Sequence, residues 1–123
     1  MSEIKSYTEL DVWKKSRKLA NIIYQHSKSF PIEEQFGLTS QIRRCAISIP
    51  SNIAEGCGRN TSKDTVRFLF IARGSLYELE TQFYLAFDQN YLKESKIDTI
   101  LGEIVEFKKL LNGFINYYKG LGK

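Results

Sequence analysis

The sequence predicts an all-α fold: an antiparallel, up-and-down four-helix bundle forming a single domain over residues 1–123. Three observations point there. Four segments carry apolar residues at three-and-four spacing, and none shows the period-2 alternation of a strand. The connections between segments are short, so consecutive helices must fold back on one another. Only two prolines occur, Pro31 and Pro50, and the first marks a boundary between periodic segments.

The first helix is predicted over about residues 8–28. Thr8 suits an N-cap, with Glu9 and Asp11 favourably placed in the helix dipole. Val12, Leu19, Ile23 and Phe30 form one apolar stripe, and Trp13, Ala20 and Tyr24 a neighbouring one. Pro31 stops the helix, because the residue before a proline avoids helical angles. The second helix is predicted over about 36–58. Leu38, Ile42, Cys45, Ile49 and Ile53 keep helical phase across Pro50, which predicts one helix kinked at Pro50 rather than two. The proline removes a hydrogen bond and presses on the carbonyl of Ala46, at a cost of ~3 kcal/mol. Gly56 and Gly58 are expected to end this helix.

The third helix is predicted over about 62–89, with Thr61 or Ser62 as its N-cap. Leu69, Ala72, Leu76, Leu79, Phe83 and Ala86 make an uninterrupted seam for a partner helix. Phe70, Tyr77 and Tyr84 form a second line beside it. Gly74 is either tolerated or marks a close helix crossing. The fourth helix is predicted over about 94–119. Its seam reads Ile97, Leu101, Ile104, Leu111, Ile115 and Tyr118, with Lys108 as a polar member; Ile100, Phe107, Phe114 and Leu121 form a second line.

Composition narrows the function. Hydrophobic residues are 42% and charged residues 26%, as in ordinary globular chains. No run approaches the roughly 18 apolar residues of a membrane span. The first residues carry charge before any apolar stretch, unlike a signal peptide. The expected location is the cytoplasm, with no membrane partner. Cys45 and Cys57 would lie about 18 Å apart along one helix, beyond disulfide reach, so both are expected to be reduced. The formal net charge is +4, and it is uneven: residues 1–75 hold 12 Lys/Arg against 7 Asp/Glu, whereas residues 76–123 hold 6 against 7. That asymmetry permits an anionic partner.

Signals of catalysis are missing. His26 is the only histidine and has no companion at ligand spacing. The GCGR at 56–59 lacks the strand and lysine of a nucleotide loop. Cysteines and carboxylates do not cluster as a metal site requires. No enzymatic activity, cofactor or metal is expected. The basic residues Arg43, Arg44, Arg59, Lys63 and Arg67 gather around the second helix and its turn into the third, while Lys14, Lys15, Arg17 and Lys18 lie on the first. Two readings stand: a face that binds RNA or DNA phosphates, or a solvated surface with ion pairs to Glu55 or Asp64. The second apolar lines also have two readings. Bundle stripes are often wide, or Phe70, Tyr77, Tyr84, Ile100, Phe107 and Phe114 meet another subunit. Pro50, Asn52, Glu55, Gly56, Gly58 and Arg73 read as structural. Glu55 is expected to pair with a basic residue around 63–67, and Arg73 or a polar neighbour to serve a carbonyl freed near Pro50.

The runs ELDVWKKSRKLANIIYQHSKSFP, EEQFGLTSQIRRCAISIPSNIAEGCGR and FLFIARGSLYELETQ make the chain resemble bacterial four-helix-bundle proteins encoded in intervening sequences of 23S ribosomal RNA genes. The resemblance spans roughly residues 7–90; beyond about 95 only the helical pattern persists. It implies a ring-like homo-oligomer, a pentamer in the favoured form. It also implies kinship with the accessory subunit of diversity-generating retroelements, a basic pentamer that works with a reverse transcriptase and nucleic acid. Cys45 and Cys57 stand where such proteins commonly carry other small residues, so no cysteine chemistry is implied. The expected function is a non-enzymatic oligomeric module that binds nucleic acid, or a protein that handles it, through a basic face. The alternative is a structural or adaptor homo-oligomer without nucleic-acid contact.

Overall fold

The computed structural model of the protein describes residues 6–122. Four helices account for most of them: α1 (Asp11–Ser27), α2 (Leu38–Cys57), α3 (Ser62–Asp88) and α4 (Glu94–Leu121). Each helix packs on its neighbours in the chain, and α1 closes the ring of contacts against α4. The α2–α3 pair is the most extensive. Consecutive helices are antiparallel, as their contacts show. Gly56 meets Thr65, Ser48 meets Ser75 and Cys45 meets Glu78, so one number falls as the other rises. Arg73 with Asn112 and Glu80 with Lys108 repeat this relation between α3 and α4.

The chain enters the bundle differently from the expectation at Thr8. Ser6, not Thr8, supplies the first cap, accepting the Thr8 N–H at 3.2 Å and opening a short 3-10 turn, Tyr7–Glu9. Leu10 is then extended (φ −76°, ψ 133°), and α1 starts at Asp11. The turn is held to α1 by an edge-to-face contact of Tyr7 on Trp13, with centroids 5.4 Å apart. Helix α2 begins where Glu34 Oε1 accepts the Leu38 N–H at 3.0 Å. Glu34 Oε2 also accepts the Tyr91 O–H at 2.8 Å, so one carboxylate ties the α1–α2 and α3–α4 connections together. These two hydrogen bonds, the backbone one foremost, hold the Glu34 carboxyl below its ordinary pKa. The helix then runs without interruption through Pro50.

At the far end of α3, Asn90 takes a left-handed conformation (φ 66°). The Tyr91 N–H reaches the Ala86 carbonyl at 3.0 Å and the Asn90 N–H reaches Phe87 at 2.9 Å. This is a Schellman closure with asparagine where glycine is commoner. Tyr91 thereby folds back onto Phe30, at 5.7 Å between centroids.

The core holds the predicted seams of α1, α2 and α3 almost unchanged. Leu69, Ala72, Leu76, Leu79, Phe83 and Ala86 are all wholly buried. In α4 the phase differs. The buried series is Ile97, Ile100, Ile104, Phe107, Leu111 and Ile115, with Leu101 only half-buried. Ile100 and Phe107 therefore belong to the subunit's own interior and leave the set of interface candidates. Lys108 is outside the seam, 3.3 Å from Glu80 and 5.0 Å from the Tyr77 ring centroid.

Candidate nucleic-acid interface

The turn joining α2 to α3, residues 58–61, is shaped from both sides. Thr61 caps α3, its Oγ1 accepting the Asp64 N–H at 3.1 Å. Thr65 Oγ1 donates to the Gly56 carbonyl at 2.8 Å in a buried setting. Gly56 does not end its helix as the sequence suggested. It lies within the last turn and faces α3, where an added Cβ would sit 3.1 Å from both Phe68 Cβ and the Thr65 carbonyl oxygen. The glycine is there for close approach. Gly58 takes the capping position, with φ at −85°.

This corner brings together Arg59, Lys63 and Arg67, which line one shallow pocket with Asp64. Arg67 donates through Nε and Nη2 to Asp64 Oδ1 at 3.1 and 2.9 Å. Arg59 stands 3.3 Å from Glu55 Oε1 and 3.8 Å from Asp64 Oδ2. Glu55 thus pairs with a basic residue, Arg59, one turn along the chain rather than across in α3. Both guanidinium carbons lie over the Phe68 ring, at 4.4 Å for Arg59 and 5.0 Å for Arg67. The carboxylates of Glu55 and Asp64 leave this trio of cations one positive charge in excess. Exposed pairs of this kind contribute only about 0–1 kcal/mol, so a phosphate can compete for the arginines at small cost.

Arg43 and Arg44 do not share the corner. They precede Arg59 by four helical turns, roughly 22 Å along the axis. Arg43 is committed to α1, with Nε donating to Ser27 Oγ at 3.0 Å and its guanidinium 4.8 Å from the Tyr24 ring centroid. Arg44 is exposed. The five predicted basic residues therefore form two separate groups. Neither does Arg73 serve a carbonyl near Pro50. It donates to Asn112 Oδ1 at 3.0 Å and lies 4.8 Å from the Phe70 centroid, linking α3 to α4. Nearer Pro50, Asn52 Nδ2 donates to the Ser48 carbonyl at 2.8 Å and to Ser48 Oγ at 2.9 Å; that hydroxyl meets Ser75 Oγ at 2.8 Å. A half-buried polar link across α2 and α3 results.

Along the outer side of α3, Phe70, Tyr77 and Tyr84 are exposed at 38%, 45% and 51%. Phe114 packs instead on the core and on Tyr118, at 5.0 Å. The cysteines are free. Burial raises both thiol pKa values, and for Cys45 the nearby Glu78 carboxylate adds to the rise, which leaves them poor nucleophiles. Burial, then the charge of Lys96, lowers the pKa of His26. Among the described residues no His, Cys, Asp and Glu side chains group as metal ligands, and no helix is long and apolar enough to cross a membrane.

The sequence offered Arg17 only among the basic residues of the first helix and Trp13 only in an apolar stripe, and Phe68 was not singled out. Arg17 lies over the Trp13 ring at 5.7 Å, one turn along α1, and the four-residue spacing of the two was the available signal. Phe68 carried none, since its arginine partners come from two helix ends.

No curated protein matches the chain. A crystal structure of a protein with unknown function from the S23 ribosomal protein family of Bacteroides thetaiotaomicron VPI-5482 is similar to it, with 30% identity and a TM-score of 0.76. The match covers 85% of this chain and 97% of that one. Residues 8–113 match the model of the 23S rRNA-intervening sequence proteins. With four helices in the matching arrangement and most of its length accounted for, the chain belongs to the family of 23S rRNA-intervening sequence proteins.

Proposed function

We propose that this chain is a non-enzymatic, homo-oligomeric helical module that binds nucleic acid, or a protein that handles it, through the corner of Arg59, Lys63 and Arg67. The observation that carries this reading is the excess of positive charge there, held only by exposed ion pairs. Assembly draws support from two unlike apolar patches. One is the line of Phe70, Tyr77 and Tyr84 on α3. The other joins Phe36, just before α2, to Ile47 within it, exposed at 90% and 49% and lining one shallow surface depression. Two different patches on one chain suit a head-to-tail contact that closes into a ring, of five copies as the resemblance implies.

The test is binding of labelled RNA and DNA as salt is raised. Log affinity should fall against log salt by roughly 0.7–0.9 per phosphate neutralised. Lys63→Glu with Arg67→Glu should abolish binding while circular dichroism keeps its helical signal. One observation favours a second reading, an adaptor ring without nucleic-acid contact: Asp64 already engages both Arg59 and Arg67. No binding by the wild type decides for the adaptor, whereas binding that persists in the charge-reversed variant overturns the assignment of the surface to this corner.

A further inference from the structure

Beside the basic corner runs an open groove of about 790 Å³ between the 3-10 turn, α1, α2 and α3. Its lining includes Tyr7, Trp13, Arg17, Pro50, Glu55 and Phe68. Phe68 is the joint between groove and corner, because it also lies under the guanidinium groups of Arg59 and Arg67. The aromatic rings come from three separate elements, and Tyr7 is 39% exposed. Arg17 lies over the Trp13 ring within the groove, and Arg59, from the basic corner, lies over Phe68. Glu55 is the groove's carboxylate, and its charge is engaged by Arg59 at 3.3 Å.

Aromatic faces interleaved with arginines suit one kind of polymer. Unpaired bases stack on rings regardless of sequence, while the backbone phosphates follow the cations. A duplex hides its base faces and offers phosphates alone, so it cannot use the groove. An acidic peptide would use the cations and leave the rings idle. We propose that Tyr7, Trp13 and Phe68, with the adjoining Arg59, Lys63 and Arg67, bind single-stranded nucleic acid, its bases in the groove and its phosphates on the corner. The inference rests on the nucleic-acid reading above and specifies the form of nucleic acid recognised.

Trp13 is the chain's one tryptophan, so its fluorescence reports on the groove directly. The full-length protein is titrated with unlabelled oligo(dT) strands of about 12 nucleotides, within the range one binding surface spans. Same-length duplex DNA and poly-glutamate serve as comparisons. Stacking should quench Trp13 with oligo(dT) but with neither comparison. By anisotropy with fluorescein-labelled oligo(dT), Phe68→Leu and Tyr7→Ala should each weaken binding by roughly tenfold, whereas Arg44→Glu should change it little. Salt-sensitive oligo(dT) binding without quenching, and without loss in the two variants, overturns this inference and leaves the basic-corner reading standing. Poly-glutamate that displaces labelled oligo(dT) as effectively as unlabelled oligo(dT) does overturns it in favour of an acidic peptide. If neither strand nor duplex binds, the nucleic-acid reading falls and takes this inference with it.

Discussion

Gly56 lets α2 and α3 approach closely: an added Cβ would sit 3.1 Å from both the Phe68 Cβ and the Thr65 carbonyl oxygen, and the α3 backbone would have to give by a few tenths of an ångström to accept it. Gly56→Ala should therefore destabilise the subunit by about 1–3 kcal/mol, the range for forcing extra volume into a packed contact. Gly102 makes the contrast: it lies within α4 with nothing near the position of an added Cβ. Gly102→Ala should stabilise by about 0.5–1 kcal/mol through backbone entropy alone. Urea unfolding of both variants checks the pair of signs. Glu34 and His26 set the response to acid. The Glu34 carboxyl is lowered by the Leu38 N–H and then by the Tyr91 O–H. Its contribution is complete above the ordinary carboxylate pKa and is lost as pH falls through the lower folded value. His26, lowered by burial and then Lys96, acts in the same direction at higher pH. The unfolded chain takes that proton first, so stability begins to fall as pH drops through about 6.5. Thermal melts between pH 8 and pH 3 should show two successive losses, with Glu34→Gln flattening the lower one.

The helices were legible from apolar spacing because burial of one face decides where each can lie. In α3 the three-and-four pattern meets a competing apolar residue only at its last step, where Phe87 stands beside Ala86, and every seam member is buried as read. In α4 two patterns start together at Ile97. Leu101 and Ile100 are both apolar, and residues three and four apart share a face. Burial of Ile100 and Phe107 resolves that ambiguity in favour of the series that avoids Lys108. The start of α1 was illegible for a different reason. Both Ser6 and Thr8 have capping chemistry, and the extended angles of Leu10 come from docking the turn on Trp13. The basic corner was half legible. Arg59, Lys63 and Arg67 converge because the turn is short, but the distance from Arg43 and Arg44 follows from helical rise, which proximity in sequence conceals. Pro50 supplies a test of α2 itself. Pro50→Ala restores an N–H toward the Ala46 carbonyl and relieves the ring's pressure on it, so denaturant unfolding should show a gain of about 1–3 kcal/mol. A loss of stability would mean that the proline's packing beside the groove outweighs the backbone cost.

For the whole molecule, the bundle uses one broad seam from each helix to make its interior and still leaves an aromatic line on α3 in water. Lys108 over Tyr77 and Lys119 over Phe70 cover that line only in part. Gly74 adds to this side of α3 a position with nothing within 4 Å, so no helix of the same subunit crosses there. In the proposed assembly this face meets another copy of the chain, which would display the basic corner and groove repeatedly around a ring. Native mass spectrometry of the full-length protein at micromolar concentration decides this. The wild type should appear as a discrete species of five chains, and Tyr77→Lys combined with Tyr84→Lys as a monomer with unchanged helicity. A wild-type protein that stays monomeric under the same conditions would contradict this assembly.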